Sequence, residues 1–121
     1  MRSNVESRLQ SACVRWFRLQ YPRYSLLLNS VPNGGARSAV TGAILKAEGC
    51  VRGVADLELN IARHGYHGLK IEMKTDKGRQ SAEQKRWQRE VEAQGYRYAV
   101  CRSFDEFRQF VNGYLTKDSP P

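Results

Sequence analysis

Apolar residues in the first twenty positions recur at helical spacing: Val5, Leu9, Ala12, Cys13, Trp16 and Phe17 fall on one stripe. Ser3-Asn4-Val5-Glu6 has the form of a capping box, with Ser3 as N-cap and Glu6 reaching back, and Pro22 ends the helix. "YSLLLNSV" then reads as a short buried strand, and "PNGGARS" as a Gly-rich loop carrying Arg37. A helix follows over about Ala39 to Glu48, closed by Gly49 where a left-handed residue is favoured. In "VADLELNI", Leu57, Leu59 and Ile61 alternate with Asp56, Glu58 and Asn60. In "GLKIEMK", Leu69, Ile71 and Met73 alternate with Lys70, Glu72 and Lys74, and "ARHGYH" is the turn between the two strands. A second capping box, Ser81-Ala82-Glu83-Gln84, opens a helix with Trp87 and Val91 inward, which stops at Gly95. The apolar run in "YRYAVC" predicts a strand inside the sheet. Ser103-Phe104-Asp105-Glu106, a third box, starts a last helix with Phe104, Phe107, Val111 and Leu115 facing the core, and "TKDSPP" reads as a frayed tail. There is no internal repeat. The order α-β-α-β-β-α-β-α predicts an α/β domain, a small mixed β-sheet flanked by helices.

Length and composition narrow the reading. A chain of 121 residues with 40% hydrophobic content fits one domain with one core. Twenty Lys and Arg against twelve Asp and Glu leave a net charge of +8. A domain this basic is expected to meet a polyanion, most often nucleic acid. No helix pairs a basic face with a free apolar one, which disfavours a membrane surface, and no apolar run has spanning length. "MRSNVESRLQ" lacks the apolar centre of a signal peptide, so a cytoplasmic setting is expected. Cys13, Cys50 and Cys101 are odd in number and far apart, which suits reduced thiols, and no C-x-x-C pair points to zinc.

The candidate chemistry lies in the hairpin. A turn centred near His64 sets Asp56 opposite Glu72 on the polar side, with Lys74 projecting from the same face. Opposed carboxylates repel, so they need a cation or must hold a proton. A hard divalent ion would relieve them; a solvated charged face is the plain alternative. A slip of one residue in register would separate the pair. His64 and His67 form H-x-x-H in a turn rather than on a helix, which favours surface or DNA-contacting groups over zinc ligands. "PNGGAR" lacks a following G-K-[ST] and is no Walker loop.

With these residues in place, the chain resembles the virus-type replication-repair nuclease (VRR-NUC) family of the PD-(D/E)xK nuclease superfamily, whose core is restriction-endonuclease-like. The marks, in order, are "VESRLQ", "PNGGAR", "GVADL", "IEMK", "SAEQKRW" and "GYRYAVCRSFDEF". Ala55 stands where the family usually has proline before the acid. The resemblance implies a single domain over 1–115 with a tail at 116–121. It implies that Asp56 and Glu72 bind a metal, with Glu6 either completing the site or serving only as a cap. It casts Lys74 as the group that orients or activates water, and Gln84 as a donor to water or phosphate, or equally as a cap partner. An all-oxygen ligand set favours Mg²⁺, with Mn²⁺ substituting. Arg37, Arg52, Lys77 and Arg79 are the expected phosphate contacts. Stand-alone members of the family resemble Holliday junction resolvases, which implies a homodimer acting on branched DNA, in a bacterial or phage setting. A flap- or restriction-type endonuclease, or a non-catalytic DNA-binding module on the same scaffold, are the alternatives.

Overall fold

The computed structural model describes residues 4–32 and 39–116. Helix α1 (Asn4–Gln20) leads through a 3-10 helix (Pro22–Leu27) into strand β1 (Leu28–Ser30). Helix α2 (Ala39–Ala47) precedes strands β2 (Leu57–Leu59) and β3 (Leu69–Met73). Helix α3 (Ala82–Ala93), strand β4 (Arg97–Cys101) and helix α4 (Phe104–Leu115) complete the chain. The four strands form one sheet in the order β1-β2-β3-β4. β1 and β3 both run antiparallel to β2, while β4 runs parallel to β3 after the connection through α3. The α/β architecture with a small mixed sheet is as the periodicity predicts.

One face of the sheet is the core. Leu28, Leu57, Leu59, Leu69, Ile71, Met73, Ala99 and Cys101 meet Cys13 and Phe17 of α1 and Phe107, Val111 and Tyr114 of α4 in one buried cluster. Trp16 sits edge-on to Tyr21, Phe104 and Phe107, an arrangement aromatic rings favour beyond the area they bury. The Tyr114 hydroxyl donates to the Ile61 carbonyl at 2.7 Å, fastening α4 to the hairpin. The other face carries Glu58, Lys70, Glu72 and Tyr98 toward α3, where Trp87 lies against Tyr98.

Several expectations need correction. "YSLLLNSV" is largely a 3-10 helix: only Leu28 is buried, and Leu26 is 88% exposed. Pro22 sets φ for this tight turn and cannot donate to a ladder, so pairing begins six residues later. β4 is an edge strand, not an interior one. Its apolar run reflects cover on both faces, by α3 on one side and α4 on the other, which reads in sequence like a central position. Val5 lies on the helical stripe but is exposed, because the core opposite α1 begins near Leu9. At α4, Ser103 Oγ accepts from the Glu106 N–H, but Glu106 reaches back to the Arg102 N–H, one residue short of a reciprocal box. The box at Ser81 and Gln84 is complete. Ser3, Arg37 and the residues after Thr116 lie outside the described residues. No helix among the described residues is long and apolar enough to cross a membrane.

Candidate active site

The hairpin register brings the two acids together. Leu57 pairs with Ile71 and Glu58 with Lys70, so Asp56, one residue before β2, comes opposite Glu72. Along this polar face the next opposed pair is of opposite sign, and Lys70 Nζ closes on Glu58 Oε2 at 3.2 Å. Lys70 also lies 4.6 Å over the Tyr96 ring, so its charge is already engaged. The like-charged pair at the end of the hairpin is balanced by a longer contact, Lys74 Nζ lying 3.9 Å from Glu72 Oε2.

Asp56 and Glu72 are held differently. Asp56 Oδ2 accepts the Met73 backbone N–H at 2.7 Å, and the Asp56 carbonyl accepts from Val31 N–H at 2.8 Å, so the residue is anchored to strands on both sides. Glu72 is only 1% exposed. Its Oε1 accepts from the Tyr98 hydroxyl at 2.6 Å and from Gln80 Nε2 at 3.1 Å. Its Oε2 has no hydrogen-bond partner among the described residues and lies 3.9 Å from Lys74 Nζ. A buried carboxylate oxygen without a donor is costly, and a cation is the group that would satisfy it. Lys74 is placed by its backbone, whose N–H donates to the Cys101 carbonyl at 2.9 Å and extends the parallel ladder by one bond.

Burial, then the hydrogen bond and negative charge of Glu72, then the charge of Asp56, push the Tyr98 phenol well above its ordinary range. Tyr98 therefore stays protonated and acts as a donor to Glu72.

The segment before Asp56 is fixed by close approach. Gly53 has φ +89°, and a Cβ there would fall 2.5 Å from the Glu83 carbonyl carbon at the start of α3. Only glycine lets the chain pass this close in a left-handed conformation. Beyond Lys74, the Arg102 guanidinium donates to the carbonyls of Thr75 at 3.0 Å and Gly78 at 2.5 Å. That clamp orders the turn that presents Lys77, which is exposed, as are Arg52 and Arg79.

The other anticipated residues fall as follows. Glu6 lies in the first turn of α1, and Gln10, one turn on, lines a groove of about 460 Å³ with Leu57, the neighbour of Asp56. Glu6, Asp56 and Glu72 do not gather into a set of three, and no group of three His, Cys, Asp or Glu among the described residues could hold an ion. Gln84 Oε1 accepts the Ser81 N–H at 2.8 Å as the cap partner. His64, at φ +53°, sits in the hairpin turn with Nε2 3.0 Å from the Tyr114 carbonyl. The His67 N–H donates to the Gly95 carbonyl at 2.9 Å, and its ring lies against Tyr96. Both histidines fasten the turn to neighbouring elements.

Sequence reading missed Tyr98, Gln80 and Arg102. Tyr98 was hidden in an apolar run, and its tie to Glu72 depends on parallel pairing of β4 with β3. Gln80 sits in a connecting segment with no periodicity to mark it.

An acid opposed to E-x-K at one end of a mixed sheet flanked by helices is the arrangement of PD-(D/E)xK nucleases. The model of the VRR-NUC domain family matches residues 2–105. The chain belongs to the VRR-NUC family, a family of nucleases of this type. A solved structure described as a "VRR_NUC domain protein" superposes with a TM-score of 0.83 at 23% identity, covering 98% of this chain and 94% of that one. That likeness bears on the fold. No curated protein matches the chain.

Proposed function

We propose that this chain is a metal-dependent DNA endonuclease, with four-way junctions as its favoured substrate and a homodimer as its working form. One observation carries the reading: Asp56 and Glu72 are opposed across the hairpin, with a buried, undonated Oε2 facing Lys74. The donors fit a hard divalent ion, since they are carboxylate oxygens and one of them, Glu72 Oε2, takes no hydrogen bond from the described residues. Asp56 and Glu72 would hold Mg²⁺, or Mn²⁺ in its place, with Glu6 either completing the set or serving only at the start of α1. When bound, such an ion polarises a phosphate and lowers the pKa of water.

The chain's own groups supply the rest. Lys74 places a positive charge where negative charge grows on the phosphate, and its ammonium can hold the attacking water by a hydrogen bond. Gln84 keeps Nε2 as a donor to water or phosphate while its Oε1 caps α3. Arg52, Lys77 and Arg79, with Arg37, would grip the backbone on either side of the scissile bond. Excess charge of +8 supports a DNA substrate over a neutral one. Two such small domains side by side would supply opposed sites for a branched molecule.

Labelled four-way junction, flap, splayed-arm and linear duplex DNA, each with and without Mg²⁺, test the proposal. Symmetric cuts in the junction are expected, whereas preferential cutting of flaps or linear duplex would favour the flap- or restriction-type alternative. Glu72→Gln and Lys74→Ala should each abolish cutting but retain junction binding. Unchanged cutting by both would trace the activity elsewhere and leave a DNA-binding module. Sedimentation across a range of concentrations reads the dimer directly.

A further inference from the structure

The two oxygens of Glu72 are treated unequally. Oε1 takes both donors, Tyr98 Oη at 2.6 Å and Gln80 Nε2 at 3.1 Å, while Oε2 takes none among the described residues. Gln80 is itself fixed, because its amide also donates to Gln88 Oε1 at 2.8 Å, and Gln88 Nε2 donates to Glu92 Oε2 at 3.2 Å. A relay of amides thus runs from the outer side of α3 to the carboxylate. Tyr98 comes from the parallel neighbour β4, with its ring edge-on to Trp87 at 6.2 Å. Donors from two separate elements therefore converge on one oxygen.

The terminal torsion of a glutamate is soft, so an unheld carboxylate can present either oxygen or both. Two hydrogen bonds to Oε1 remove that freedom and leave Oε2 aimed at Lys74. We propose that Tyr98 and Gln80 are positioning residues that lock Glu72 so that it presents a single oxygen, Oε2, to a divalent cation. The inference rests on the metal-nuclease reading and adds to it the residues that set ligand geometry. A role limited to satisfying a buried charge would leave cation affinity unmoved or raise it, since a carboxylate that loses donors is the stronger ligand, and this separates the two accounts.

The test uses the full chain and Mn²⁺ alone, with free Mn²⁺ followed by electron paramagnetic resonance. Tyr98→Phe keeps the ring and removes the donor; Gln80→Leu removes the other. Each should weaken Mn²⁺ binding about 10–100-fold, the usual effect of losing a group that orients a ligand. Trp87→Phe, which touches the Tyr98 ring and not the carboxylate, should keep the affinity while lowering the unfolding temperature. In junction cutting, the half-maximal Mn²⁺ concentration should rise in the first two variants, and much of the rate should return at saturation. If both bind Mn²⁺ like the wild type or more tightly while Glu72→Gln does not bind, the positioning role is overturned and the metal reading stands. If Glu72→Gln binds as well as the wild type, the metal reading falls and takes this inference with it. Should Tyr98→Phe fail to fold, Gln80→Leu decides, since Gln80 lies outside the core cluster.

Discussion

Glu72 concentrates the conflict between stability and function in one side chain. It is buried, charged and only half satisfied. Glu72→Gln removes the charge and keeps a carbonyl oxygen for Tyr98 and Gln80. Relief of a buried charge is set against loss of the Lys74 contact, so urea unfolding should find this variant within about 2 kcal/mol of the wild type, while cutting is lost. Gly53→Ala should do the reverse, because its Cβ has no room beside Glu83 and the backbone is left-handed. A loss of about 1–3 kcal/mol is expected, with reduced cutting as Asp56 shifts. The thiols give a further test. Burial pushes Cys13 and Cys101 up to about 12 from 9.0, whereas Cys50 is exposed. A thiol reagent at neutral pH should thus label Cys50 alone until the chain unfolds. Because the folded state holds these protons more tightly, their contribution to stability is intact below pH 9 and is lost as pH rises toward 12, so the melting temperature should fall across that window.

At the level of elements, the capping signals were legible because they are local. The Ser81 box appears as written, and Gly49 and Gly95 take the positive φ values that end helices. Ser81→Ala should cost about 1 kcal/mol of stability. Comparing it with Gln84→Ala separates cap from chemistry: both lose the same box, so a larger fall in cutting for Gln84→Ala marks its contact with water or phosphate. What local pattern could not give was cover from afar. Apolar content placed β4 in the interior, yet it is an edge protected by α3 and α4. The converse holds for α2, an apolar helix whose Val40 is 70% exposed.

For the whole molecule, the excess of positive charge makes binding a matter of counterion release. Junction affinity should fall linearly on a log–log plot against salt, and Lys77→Ala should reduce that slope by about 1, as one phosphate contact is lost. A fluorescence anisotropy titration at several salt concentrations checks it. The sequence by itself determined the four helices, the hairpin register and hence the meeting of Asp56 with Glu72. Each follows from periodicity, turn position and caps, which act over a few residues. Tertiary structure alone decided that Glu72 would be buried and that Tyr98 and Gln80 would seize one of its oxygens. Those outcomes depend on parallel pairing across a helical crossover and on how α1 and α3 sit against the sheet, and such long-range packing leaves no local mark on the chain.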